Sequence, residues 1–135
     1  MMRGDAESGS IVIGTAMVAF VLVMVVAVGS VGGAIGAYTK ASAAADAAAL
    51  AAAPVTFRPF GASGTPAREA AIFATANGAV LTSCQCPVNR SWDTRTVVVT
   101  VARTVSVMGI GTVRVRATSR ATFEPAALLN PALRK

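Results

Sequence analysis

Few side chains in this 135-residue sequence could do chemistry. It contains no histidine, and its two cysteines are Cys84 and Cys86. A zinc site needs about four ligands, and a Cys-His or Ser-His-Asp arrangement needs an imidazole. The sequence therefore predicts no catalytic residue, no metal ligand and no cofactor, and it argues against an enzyme.

Cys84 and Cys86 are separated by one residue, which leaves three alternatives. They could be free thiols at the end of a strand, form a bridge to another subunit, or form a local disulfide. A local bridge around a single residue would be more reducible than an ordinary structural disulfide. Either bridge would suit an oxidising compartment outside the cytoplasm.

Arg114, Arg116 and Arg120 are the second group of candidate side chains. On a β-strand, residues at even spacing project from one face. The net charge is +6, and residues 79–135 hold eight of the twelve lysines and arginines. The three arginines could contact an anionic surface such as lipid headgroups, acidic glycan or nucleic acid. Alternatively, they only keep a solvated sheet edge from pairing with other chains.

These arginines belong to a predicted β-hairpin. Residues 96–107 and 112–123 alternate between apolar and polar side chains, and Gly109 and Gly111 mark the turn between them. The alternation places the following side chains on one buried face: Val97, Val99, Val101, Val105, Val107, Val113, Val115, Ala117, Ala121 and Phe123.

Two further elements precede the hairpin. Residues 66–77 predict a short helix, because Thr65 is a good N-cap, Pro66 suits the first helical position and Asn77-Gly78 suits the end. Residues 79–83 predict a short strand, followed by a loop. A half-buried hairpin needs a cover, which the short helix and the alanine-rich segment before it can provide.

Residues 11–38 are uncharged and predict a membrane-spanning helix. As a helix they would reach about 42 Å, more than the roughly 30 Å hydrocarbon core. Residues 39–53 are mostly alanine and predict a helical extension that Pro54 ends. A secretory signal cut near Ala41, Ala43 or Ala45 is the alternative, but the acidic leader and the long apolar run argue against it.

Gly29 and Gly33, and likewise Gly32 and Gly36, are four residues apart in this span. This spacing lets a second helix approach closely in lipid and predicts a helix-packing face. The alternative is that glycine is simply frequent in membrane helices.

The predicted fold class is α+β: a long N-terminal transmembrane helix extended by an alanine-rich stalk, then a small head of one short helix and an antiparallel sheet of two or three strands. The expected segments are a polar leader (1–10), the transmembrane helix (11–38), the alanine-rich extension (39–53), a linker (54–65), an extracytoplasmic head (66–123) and a loose tail (124–135).

Three sequence features occur together: Gly9-Ser10-Ile11-Val12-Ile13-Gly14 at the entry to the apolar helix, the exit run TKASAAADAAALAAA, and a head that reads as a helix followed by NGAVLTSC, VVVTV and VRVRA. In this combination the chain, over roughly residues 8–122, resembles the TadE/TadG-like pilus-assembly proteins of high-G+C bacteria, which are encoded with Flp (tight adherence) secretion machinery.

The resemblance implies a membrane-anchored minor pilin or pseudopilin that takes part in assembly of a Flp (type IVb) pilus or a related secretion apparatus through helix packing. It implies a single-pass protein of the cell membrane with a cytoplasmic N-terminus and an extracytoplasmic head. The implied partners are the membrane and other pilin-like subunits or platform proteins. A small-molecule substrate is not implied, and nucleic acid is not expected.

The sequence departs from the family at the processing site. In the family pattern, a prepilin peptidase cuts after a glycine, and a glutamate at the fifth mature position pairs with the neighbouring subunit's N-terminal amine. A cut between Gly9 and Ser10 puts Gly14 at that position, and a cut after Gly4 puts Gly9 there. Neither cleavage site places a glutamate at the fifth mature position. The chain therefore fits an assembly factor outside the filament as well as it fits a filament subunit.

A function from another class is also open. The chain could be a tethered or secreted extracytoplasmic binding module that uses Arg114, Arg116 and Arg120 to bind an anionic surface.

Overall fold

The computed structural model describes residues 5–57, 64–107 and 111–129, with side chains from residue 13 onward. The fold is α+β, as predicted. Its elements in chain order are helix α1 (Asp5–Val55), helix α2 (Pro66–Ala76), strands β1 (Val80–Gln85), β2 (Arg95–Val107) and β3 (Gly111–Phe123), and a 3₁₀ turn (Pro125–Leu128). The chain divides into two compact units, Met1–Ile35 and Gly36–Lys135.

The first unit contains the apolar part of α1. From residue 13 to residue 35 every side chain is exposed, apart from the half-buried Ser30. This segment would rise about 35 Å, enough to cross a hydrocarbon core of roughly 30 Å. Within the described residues it is the one helix that is long and apolar enough to cross a membrane. Exposed apolar side chains are favourable in lipid. The backbone of the segment is compatible with lipid as well, since its polar groups are hydrogen-bonded within the helix.

In the second unit, the alanine-rich part of α1 covers the sheet. Its buried alanines recur at three- and four-residue spacing, which places them on one side of the helix: Ala37, Ala41, Ala44, Ala45, Ala48, Ala49, Ala52 and Ala53. Lys40, Ala43, Asp46 and Leu50 are exposed on the other side. The helix ends at Val55, two residues beyond the predicted last helical residue, because Pro54 is accommodated in its last turn.

Helix α2 has the predicted ends. The Thr65 hydroxyl accepts a hydrogen bond from the Arg68 N–H at 3.2 Å, and Pro66 follows at the first helical position. At the other end, Gly78 has a φ of +70°, and a Cβ there would lie 3.0 Å from Nη1 of Arg103. That same Nη1 donates to the Asn77 carbonyl at 3.2 Å, so a cation satisfies a carbonyl at the helix C-terminus.

The sheet is antiparallel, with strand order β1-β2-β3. Strands β2 and β3 pair without interruption from Arg95 opposite Phe123 to Val107 opposite Gly111. Strand β1 pairs with β2 across a bulge at Thr82, whose hydroxyl donates to the Thr100 carbonyl at 3.0 Å. Of the predicted hairpin turn, residues 108–110 lie outside the described residues, and Gly111 has a φ of +95°.

The predicted inner face of the hairpin is largely confirmed. Val97, Val99 and Val101 are fully buried and form one core with the alanines of α1. Ala117 and Ala121 of β3 and Ala70 and Ala74 of α2 complete this core. Towards the turn the face opens, because Val105, Val107 and Val115 are half-buried and Val113 is 37% exposed.

Two predicted boundaries were wrong. Strand β1 extends to Gln85 and includes Cys84, because Val99 and Val98 of β2 offer pairing partners that outweigh the polar composition of this segment. The expected loose tail is ordered at its beginning: residues 125–128 form a 3₁₀ turn, and Pro125 is fully buried.

Arg95 is a buried cation that the sequence did not single out. It is 5% exposed, and its guanidinium donates to backbone carbonyls rather than to a carboxylate. Nη1 donates to the carbonyl of Thr56 at 3.0 Å and to that of Asn89 at 3.1 Å. Nη2 donates to the carbonyls of Ser91 and Asp93.

An aromatic cluster covers the same guanidinium. Its Cζ lies 5.5 Å from the centroid of the Phe57 ring, within range of a cation–π interaction. The Phe57 ring packs edge-on against Trp92 at 4.8 Å between centroids and lies 6.3 Å from Phe123. Arg95 therefore joins the residues just after α1, the loop before β2 and the start of the sheet.

We expect Ala48→Leu to lower the free energy of unfolding of the full chain in detergent micelles by about 1–3 kcal/mol, because a fully buried position has no room for the larger side chain. Ala43→Leu makes the same change on the exposed side of α1 and should alter it by less than about 0.5 kcal/mol. Urea unfolding followed by the fluorescence of Trp92 measures both, and equal losses would contradict the packing described.

Arg95→Met should destabilise the head by about 2–4 kcal/mol, because it leaves buried carbonyls without donors while keeping most of the side-chain volume. Arg68→Met, at an exposed position of α2, is the matched control and should cost less than about 0.5 kcal/mol. The same urea titration distinguishes them; a tolerated Arg95→Met would show that the carbonyls find water instead.

Candidate functional site

The predicted helix-packing residues lie on one face of α1. Gly29, Gly32, Gly33 and Gly36 follow the spacing of neighbouring positions on a helix surface. A Cβ added at any of them would meet nothing within 4 Å. We call these four residues the glycine face. It is an open strip of backbone that another helix could approach closely.

The apolar surface beside the glycine face is grooved. Two shallow grooves are lined by Phe20, Val21, Met24, Val25, Val28 and Gly29, and by Ala27, Val28, Val31, Gly32 and Ile35. Gly29 and Gly32 thus each lie beside larger side chains that form a ridge. Ser30 adds no unpaired polar group, because its hydroxyl donates to the Val26 carbonyl at 2.8 Å.

Gly36 is the first residue of the second unit and lies on the uncovered side of α1. It is exposed, whereas its neighbour Ala37 is buried at 6% exposure. The covered side of the helix in that unit is occupied by the sheet. The glycine therefore belongs to the side of α1 that remains open for another molecule.

Arg114, Arg116 and Arg120 project from the outward face of β3, and all three are exposed. Their partners across the sheet are Thr104, Ala102 and Val98 of β2. We call the three arginines the basic face. Its members lie together as the period-two pattern predicts.

Cys84 and Cys86 are joined by a disulfide in the structure, which is the local bridge among the three alternatives. Both residues are half-buried and pack against the core. The bridge links Cys84, near the end of the edge strand β1, to Cys86 in the loop that follows. In the disulfide, neither sulfur is available as a nucleophile or a metal ligand.

Within the described part of the chain, no three His, Cys, Asp or Glu side chains cluster in a way that could hold a metal ion. Gly9 and Ser10, the predicted processing residues, fall within α1 but before the first residue whose side chain is described. The structural role of Arg95 was missed. The only available signal was a charged residue directly before the valine-rich strand, and such a residue is usually solvated.

The comparisons with known proteins agree with the geometry of α1. Residues 9–55 match the family model Tad, described as Flp pilus-assembly TadE/G-like. Neither the search of curated proteins nor the search of solved structures gave a significant match. The matched segment contains the whole glycine face and the alanines that cover the sheet, and it ends with α1. Over residues 9–55, the match confirms the resemblance to TadE/G-like Flp pilus-assembly proteins that was drawn from the sequence.

Proposed function

We propose that the chain is a membrane-anchored minor pilin or pseudopilin that takes part in the assembly of a Flp pilus or a related secretion apparatus. The observation that carries this proposal is the coincidence of the family match with an exposed apolar helix. In this role the protein acts by association and transforms no substrate.

The glycine face is the proposed contact with other pilin-like subunits. In a bilayer, helices gain little from hydrophobic burial, because lipid tails are as apolar as their side chains. Association then depends on van der Waals contact, which increases when two backbones come close. Gly29, Gly32, Gly33 and Gly36 provide the low surface that close approach requires.

The proposed topology places the N-terminus in the cytoplasm and the head outside. The family resemblance supports this orientation. The disulfide between Cys84 and Cys86 also supports it, because disulfides persist in oxidising compartments and are rare in the cytoplasm.

The absence of a glutamate bears on the exact role. With a cut after Gly9, the fifth mature residue is Gly14, which carries no charge to pair with a neighbour's N-terminal amine. A carboxylate in lipid would be costly unless paired, which makes it a strong docking group. Without it, the glycine face and the head must supply the contacts of this subunit.

Gly29→Ile with Gly36→Ile should reduce co-purification of pilus-assembly subunits with the tagged full chain, extracted from bacterial membranes, on the order of tenfold. The branched side chains would hold the partner helix away from the backbone. Ala16→Ile with Ala34→Ile makes a similar increase in size at two positions on the opposite side of α1, outside the grooves beside the glycine face. These changes should leave co-purification unchanged.

If both pairs of substitutions reduce co-purification equally, the glycine face has no special role. If neither does, the subunits are bound through the head, and helix packing is rejected as the mechanism.

Mass spectrometry of the full chain, extracted from cells that express a prepilin peptidase, tests the processing site. We expect a mature protein that starts at Ser10, since the family match begins at residue 9 and thereby favours the cut after Gly9 over the cut after Gly4. Gly9→Val should block this cleavage. An intact N-terminus in the unsubstituted chain would instead indicate an assembly factor outside the filament.

A further inference from the structure

Among the described residues, no ion pair compensates the positive charge of the basic face. Arg114, Arg116 and Arg120 are exposed on one side of β3. Within the described residues, none of their guanidinium groups makes a hydrogen bond or an ion pair. By contrast, Arg95 and Arg103 use theirs to hold backbone carbonyls. In the part of the chain that the structure describes, nothing therefore occupies the guanidinium groups of the basic face.

No acidic side chain of the sheet reduces this charge. The three strands contain neither Asp nor Glu, and the nearest acid along the chain is Glu124, just after β3. The arginines of the basic face also stand on a well-ordered platform. Thr118 lies between Arg116 and Arg120, and its hydroxyl is 2.9 Å from that of Thr100 on β2. The uninterrupted antiparallel pair thus fixes the backbone positions of the three arginines.

The composition of this face distinguishes between anionic partners. The one aromatic residue of the three strands, Phe123, is on the inner face, so the outward face offers no ring on which a nucleic-acid base could stack. It does expose an apolar side chain, Val80, at 64%. Val80 is opposite Ala102, which is in turn opposite Arg116. Arginines beside an exposed valine suit the boundary between lipid headgroups and acyl chains.

We propose that the basic face of β3 binds the phosphates of anionic lipid headgroups. The apolar helix of the same chain supports this assignment, because it would keep the head near a membrane surface at high effective concentration. Guanidinium groups bind phosphate oxygens through charge-assisted, often bidentate hydrogen bonds. Each cationic side chain near an anionic bilayer strengthens binding about fivefold, so three arginines together should strengthen it about 100-fold.

The test uses the full chain inserted in nanodiscs of phosphatidylcholine. These are mixed with sucrose-loaded vesicles of phosphatidylcholine alone or with about 30% phosphatidylglycerol, and co-sedimentation gives the apparent affinity. We expect binding to the anionic vesicles only. It should weaken as salt rises from about 0.1 M to 0.5 M, since the screening length shortens.

Two triple variants separate this face from net charge. R114Q/R116Q/R120Q should lower the apparent affinity about 100-fold. K40Q/R68Q/R90Q removes the same charge from exposed positions elsewhere and should retain the affinity within about threefold. R114K/R116K/R120K keeps the charge and should retain most of the binding. If the first variant aggregates, each single Arg→Gln change should still cost about fivefold.

Three results would overturn the proposal. Equal losses in the two Arg/Lys→Gln triple variants would show that net charge, not the basic face, attracts the vesicles. Equal binding to vesicles with and without phosphatidylglycerol would remove the role of the phosphate charge. Tighter binding to a duplex of about 20 base pairs than to anionic vesicles would assign the face to nucleic acid. Since no pilus component is present, these outcomes are independent of the proposed role in assembly.

Discussion

The head depends on the close packing of alanine methyl groups from α1 against the valines of β2. Among the described residues of the head, no aromatic ring is fully buried, and the largest fully buried side chains include Val97, Val99 and Val101. Small side chains bury little area each, so such a core must be packed tightly to be stable. The alanine side of α1 makes this possible, because its methyl groups let the helix pack closely against the valines of the sheet. Larger side chains on either surface would separate the two.

A core of this kind leaves the ends of its elements to be held by other means. At the C-terminal end of α1, the guanidinium of Arg95 gathers carbonyls from distant parts of the sequence, including Thr56 and Asn89. At the end of α2, Arg103 holds the Asn77 carbonyl. At the end of β1, a disulfide joins Cys84 to Cys86. The alanines and valines thus define the middle of the head, and polar or covalent contacts fix its periphery.

Local patterns predicted the regular elements well. The apolar helix follows from an uncharged run, the hairpin faces follow from period-two alternation, and the ends of α2 follow from Thr65, Pro66 and Asn77-Gly78. The glycine face and the basic face could be predicted for the same reason, since each lies within one regular element. The predictions that were wrong concerned features that depend on contacts between elements. The extension of β1 to Gln85 follows from pairing with β2, and burial of Pro125 follows from packing after the sheet is formed.

Arg95 was unpredictable for a related reason: its acceptors are main-chain oxygens, which have no side-chain signature, and Thr56 precedes it by 39 residues. The identity of a partner is likewise absent from local patterns. A glycine strip shows that a helix can approach, and exposed arginines show that an anion can bind, but each pattern fits several molecules of one chemical type.

The second half of α1 is both the continuation of the apolar helix and a wall of the head's core, and this limits how the head could be shed by proteolysis. Of the small residues that a signal peptidase could use, Ala41 and Ala45 are fully buried, and Ala43 is exposed on the same helix. A protease needs an exposed and locally extended backbone, which a packed helix does not provide. A cut there would also remove part of the core and leave the valines of β2 uncovered. A soluble version of the head, whether made by a cell or by an experimenter, must therefore retain the alanine-rich helix from Ala37 onward.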